Sequence, residues 1–548
     1  MSQNLSFWRK VVYVGIITSL LVPLFLLGRP TTTRGPGGVL AQLRAKHNLS
    51  QANLGDIDPA SESMKLATLG LRGVAANLLW SKANEYKKTE DWDALSATLN
   101  QITKLQPNFI SVWEFQAHNL SYNVSAEFDN YRHRYHWVKK GISFLQDGVR
   151  HNRDNPRLLH QIGWFMGQKF GRADEHVYFR RMFREDKDFH DEINRDVRVD
   201  EAVGFDGRPD NWLVGRLWYR RAYEAVEKGT PLKGKSPLVF RADGPMSFVN
   251  YAADIEEEGV LGDEALRAWQ TARKGWEEFG RVQIPTSWGH SLRLGDLSTV
   301  NAEREALGKR IDELTGGLRE QIRQEKIAKL SEPERQAVDL KREQLDGSNA
   351  QHYFQAQQKT AVAHREVADR TAPEIRQRAT ALAAKLEDRD TLATRIMNYR
   401  NIVNYDYWEI RCTAEATKAM VRAREFLYNG QKAYERTDPD LARKLYEQAW
   451  DQWAAVFREY PRLNDDLTAD DLKDGLRRYR RLLLQLDQEL PEKFPLREML
   501  KRIDEKEPHL APKPKPTAEI KADTGAKPAT TPPATGAKSA PPTAKPAP

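Results

Sequence analysis

Residues 229–236 read Gly-Thr-Pro-Leu-Lys-Gly-Lys-Ser, a letter-for-letter match to the glycine-rich expression of a phosphate-binding loop. In a working loop of this kind the backbone amides converge on phosphate oxygens, and the lysine, here Lys235, reaches the terminal phosphates. That geometry needs a buried β-strand before Gly229 and a helix after Ser236. Instead Leu217, Ala222, Ala225 and Val226 recur at helical spacing, and Pro237-Leu238-Val239-Phe240 stands where the helix should run. No apolar strand ending in aspartate is available for magnesium. The segment therefore reads as a lysine-rich loop after a helix, and nucleotide chemistry is disfavoured. If it did operate, it would predict ATP binding lost on replacing Lys235.

His133 and His136 lie three apart in Tyr131-Arg132-His133-Arg134-Tyr135-His136, where a metal could in principle bridge them. The neighbouring arginines repel a cation, and no cysteine or carboxylate stands at ligand spacing. No metalloprotease histidine pair, nucleophile elbow or cysteine–histidine couple is present. The expectation is a protein that binds rather than reacts, with no catalytic residue, cofactor or metal.

The elements that would position a binding surface are more informative. Leu79, Ala83 and Tyr86, then Leu95, Leu99 and Ile102, fall on two helices separated by Thr89-Glu90-Asp91, and Pro107 ends the unit. A second unit starting at Ile110 opens with Trp113 and Ala117, carries an insertion near 128–136, and runs to Pro156. This order of large, small and aromatic residues resembles the tetratricopeptide repeat, a helix pair of ~34 residues. Lys82 and Leu95 depart from it, standing where leucine and alanine are usual. The spacing returns at Ala265, Trp269 and Ala272, and at Gly430, Ala442, Tyr446 and Ala449, while 212–219 looks like another first helix. Residues 70–171 are also similar to a group of uncharacterised membrane-anchored bacterial proteins, which implies no activity. If the repeat register holds, the concave face implied by the resemblance consists of Asn77, Trp80, Asn84 and Lys87 on one helix and Ser111, Glu114, His118 and Ser121 on the next. These would contact a protein or peptide partner.

The chain has 548 residues and a net charge of +8, which raises the question of nucleic acid. The charge sits at the ends: residues 1–60 and 511–548 each sum to +4, and the body between them is neutral. A neutral body lacks the basic stripe of a nucleic-acid-binding domain, so that partner is excluded. Arg9 and Lys10 precede an apolar run over 11–27, near the ~17-residue minimum for a membrane span. An uncleaved anchor over 1–28 is preferred to a signal peptide, and no cysteine follows for a lipid anchor. The expected location is a single-pass inner membrane with the bulk of the chain periplasmic, although charges flank the run almost equally. The single Cys412 leaves the redox compartment open, and the sequons at Asn119 and Asn123 fall in an expected helix.

Residues 29–60 read as a flexible stalk and 61–299 as a repeat-like helical domain. Over 300–405 Leu307, Ile311, Leu314 and Leu318 form an amphipathic seam suited to a long-helix or coiled-coil arm, which could mediate oligomerisation. Residues 406–507 form a second repeat-like domain. The stretch 508–548, rich in proline, alanine, lysine and threonine, has little to bury and is expected to be disordered. Most of the fourteen tryptophans stand beside small residues at helical spacing and are expected in the core. The fold class is all-α. The function expected is a membrane-anchored protein-interaction scaffold or assembly factor. A cell-envelope tether to an anionic polymer is the alternative, and a nucleotide-binding enzyme is disfavoured.

Overall fold

The computed structural model describes residues 72–341 and 344–510, with scattered positions before residue 44. The described residues are 77% helical, and the only named strands among them are β1 (Ile284–Pro285) and β2 (Ser291–Leu292), paired as a minimal hairpin. The anchor expected over 11–27, the stalk and the tail lie wholly or largely outside the described residues. Among those residues no helix is long and apolar enough to cross a membrane.

The first half is a ladder of packed helix pairs. Helix α1 (Arg72–Lys88) packs on α2 (Trp92–Leu105), α2 on α3 (Ile110–His118), and α3 on α4 (Tyr131–His151). The Thr89-Glu90-Asp91 break forms where the polar residues predict it. Glu90 takes a positive φ of 58°, and the Asp91 carboxylate accepts from Ala94 N, satisfying a free amide of α2. Pro107 closes the unit: its carbonyl accepts from Trp113 Nε1 at 2.8 Å and Asn152 Nδ2 at 2.7 Å. The expected insertion takes the form of a lengthened second pair, with α3 continuing through Asn119–Val124 and α4 running 21 residues.

Helix α5 (Pro156–Trp164) packs between α4 and α8 (Asn211–Glu227), with α6 (His176–Glu185) and the short α7 (Lys187–Ile193) completing the layer. Helices α9 (Pro237–Glu257) and α10 (Asp263–Arg281) follow as a further antiparallel pair. Trp218, Trp269 and Trp276 are fully buried, as the small residues beside them require.

The 300–405 segment is more broken than the seam predicts. Only α11 (Leu297–Thr315) and α16 (Pro373–Ile402) are long; between them stand α12 (Leu318–Ile327), α13 (Glu332–Ala337), α14 (Ala350–Thr360) and α15 (His364–Arg370). Gly316 and Gly317 both adopt the left-handed conformation and end α11. Ile311 is buried against Ala368, Ala379, Ala383 and Leu386, so the seam closes within the chain. Helices α17 (Tyr405–Glu415), α18 (Lys418–Glu435), α19 (Pro439–Glu459), α20 (Asp466–Gln485) and α21 (Arg497–Lys506) build the last layer, with Trp450 and Trp453 in its core.

Candidate functional site

The face named from the repeat register spans α1, α3 and the segment Asn119–Val124 that continues α3. Asn77, Asn84, Lys87, Ser111 and His118 are exposed, and Trp80 and Glu114 are half-buried. Trp80 packs at 5.7 Å from Phe109 and 5.6 Å from Phe115, and the Lys87 ammonium stands 5.1 Å from the Phe115 ring. Glu114 is committed to Arg157 of α5 through an ion pair that includes an Nε to Oε1 bond of 3.2 Å. Ser121 does not belong to the face. It is fully buried, with its hydroxyl 3.4 Å from the Val138 carbonyl.

The reason is a change of helical period. From Asn119 to Val124 the backbone is π-helical, so each turn takes up more than 3.6 residues and the register of the repeat slips. Tyr122, not Ser121, then stands beside His118, ring on ring at 4.4 Å. A second π segment, Phe165–Lys169, extends α5 in the same way. It brings Lys169 to 4.2 Å from the centre of the Tyr122 ring and Trp164 to 6.4 Å. Partial burial pushes the His118 pKa down, and the charges of Lys169 and Lys87 add to the effect. Burial likewise lowers the Lys169 pKa, offset by Glu175. The result is a patch of half-buried rings among basic groups that can bury an apolar group and pair with a carboxylate at once. Sequence reading missed Tyr122, Trp164 and Lys169. The one available signal was Tyr122 standing one turn after His118.

Asn119 in the same segment is buried and donates to Ser96 Oγ at 3.2 Å, which leaves no room for a glycan. His133 and His136 lie on the exposed face of α4 with Lys139 and Lys140 nearby, and among the described residues no three His, Cys, Asp or Glu side chains are placed to hold a metal.

The 229–236 loop follows helix α8, so the buried strand of a phosphate-binding loop is missing. The expectation that Pro237 bars a helix is overturned: α9 begins at Pro237, because at the first helical position the missing amide has no partner to lose. Lys235 points inward. Its Nζ lies 3.0 Å from His160 Nδ1, and His160 Nε2 lies 2.9 Å from Asp243 Oδ2. Desolvation dominates in lowering the pKa of both His160 and Lys235, which favours the neutral imidazole of His160 as the bridge from the loop to α9.

Two buried ion clusters had no sequence signal, because their members come from segments far apart in the chain. Arg180 meets Asp210 at 3.2 Å, Asp254 at 3.1 Å and Glu258 at 2.7 Å, and Trp212 Nε1 donates to Asp254 at 2.6 Å. Nearby, a cleft of about 470 Å³ between α9–α10 and the last layer is lined by Glu256, Trp269, Arg411, Arg424 and Asp471. Arg424 and Arg411 each donate to Asp471 at 2.9 Å, and Arg424 pairs with Glu415 at 2.5 Å. Burial, then Glu415, raises the Glu256 pKa to about 8 against the pull of Arg424. Three carboxylates thus face two guanidinium groups, and burial with the surplus negative charge favours the protonated form of Glu256. The cluster locks α9 to α18 and α20.

An all-α protein of packed helix pairs, with a basic aromatic face on successive helices, is the class that fold and site define. No family model matches this chain, and no curated protein matches it significantly.

Proposed function

We propose that this chain is a membrane-anchored docking protein built on tetratricopeptide-like helix pairs, with its body on the periplasmic side, and that α1, α3 and α5 hold an extended segment of a protein partner. The observation that carries the reading is the run of Trp80, Phe115, His118, Tyr122 and Lys169 along consecutive helices. Half-buried rings supply apolar contact, and Lys87 and Lys169 select carboxylates, so the partner segment alternates apolar and acidic residues. Such work needs no cofactor.

The test is crosslinking of the intact protein in its own membrane, with mass spectrometry of the crosslinked peptides, beside a Tyr122→Ala/Lys169→Glu variant. Partner peptides with acidic and apolar residues, crosslinked near His118 and lost in the variant, are expected. An unchanged set of crosslinks, or retention of bulk anionic polymer alone, would move the function to a tether.

A further inference from the structure

Helix α9 contains Pro245, which has no amide to offer the carbonyl of Arg241 one turn back and so opens the helix. The phenol of Tyr223 on α8 enters the break. It accepts from Gly244 N at 2.9 Å and faces the Arg241 carbonyl at 3.4 Å as donor. Small residues permit this approach: a Cβ on Gly244 would sit 2.8 Å from the Tyr223 oxygen, and one on Gly275 would sit 2.9 Å from the Phe248 ring.

Beside the break lies a half-open cavity of about 140 Å³ between α8, α9 and α10. That is close to the ~150 Å³ of a cavity that admits benzene. Pro245, Phe248, Phe279 and Val282 give it apolar walls, and Arg216, Arg220, Arg241 and Glu278 form its polar part. Two of the arginines already have carboxylate partners, Arg220 with Glu201 at 2.7 Å and Arg241 with Glu227 at 2.9 Å. Arg216 makes no ion pair among the described residues; its guanidinium lies 4.3 Å from the centre of the Phe248 ring. Burial and then the neighbouring Arg220 work against its charge and lower its pKa, partly offset by Glu278. With Glu278 near but not in ion-pair contact, the partly buried guanidinium keeps a planar fork of donors for a carboxylate. An inorganic anion would leave the apolar walls empty.

We propose that this cavity binds a small organic carboxylate, its ring-sized apolar body against Phe248, Phe279 and Pro245 and its carboxylate on Arg216. Glu278 shares the cavity and opposes the ligand's charge.

Phenylacetate titrated into the full-length protein in detergent, followed by calorimetry, tests the site, with 2-phenylethanol as the uncharged control. Saturable binding of the carboxylate is expected, about tenfold or more weaker in Arg216→Gln and severalfold tighter in Glu278→Gln, with helicity unchanged. No saturable binding by the unmodified chain, equal binding by Arg216→Gln, or equal affinity for the alcohol would overturn the proposal. Should Arg216→Gln fail to fold, Glu278→Gln decides: tighter binding upholds the site and unchanged binding removes it.

Discussion

Charges carry much of this protein's specificity at the residue scale, and most of them are invisible in a linear reading. Glu256 illustrates why. Its folded pKa is raised to about 8 from the ordinary 4.5, first by burial and then by Glu415. Between those values unfolding releases a proton, so its contribution is full at low pH and is lost as pH rises through the window. Asp471 and Glu258 behave oppositely: Arg424 and Arg180 are the chief groups that hold them low against the cost of burial, and their contribution is lost on acidification. In Glu256→Gln the neutral amide keeps the shape and removes the titration. Urea midpoints measured at about pH 5, 7 and 9 are expected to fall less steeply with pH in the variant than in the unmodified chain. Equal slopes would mean that Glu256 is already ionised in the fold. Nothing in the sequence singled out Glu256 among so many acidic residues, because its partners Glu415, Arg424 and Asp471 lie far along the chain.

Helices were legible at the element scale, but their register and their ends were not always so. Apolar spacing placed the α1–α2 pair, and the polar run Thr89-Glu90-Asp91 placed the break between them. Carboxylates cap the starts of α19 and α20: Asp438 accepts from Leu441 N and Asp465 from Thr468 N. The π segments had no sequence signature, and the one over Asn119–Val124 is what moved Ser121 inward and Tyr122 beside His118. Small residues set how closely these helices approach. A Cβ on Gly163 of α5 would sit 2.7 Å from the Gly215 carbonyl of α8, a backbone atom that cannot swing away. Gly163→Ala must therefore push the two helices apart, at a cost of roughly 1–3 kcal/mol. A lower urea midpoint with an unchanged slope is the expected result, and an unchanged midpoint would show that α5 and α8 slide freely.

At the scale of the whole molecule, helical spacing pointed to the all-α class and the position of the charges to a neutral body, whereas the 300–405 segment shows what such patterns leave out. Its amphipathic seam suggested a long-helix arm, and the base of that segment is built into the main core. Trp276 Nε1 donates to the Tyr405 carbonyl at 3.1 Å, and Arg400 Nη1 donates to the Leu294 carbonyl at 2.6 Å. Val300, Ala393 and Ile396 join the same cluster as Leu238 and Phe279. The outer part is different, because α12, α13 and α14 pack chiefly on one another around Leu330, Val338 and Ala356. Two excisions separate these roles. Replacing 318–360 with a short glycine–serine linker removes the outer cluster and leaves Ala368 of α15 in place against Ile311, and the rest of the chain is expected to melt within a few degrees of the full chain, on the order of 1 kcal/mol. Removing 297–402 uncovers Trp276 and Phe279 and deletes Arg400, and that variant is expected to aggregate or lose cooperative melting, with a red-shifted tryptophan emission. If both excisions melt alike, the inner ends of α11 and α16 carry no more of the core than their tips do.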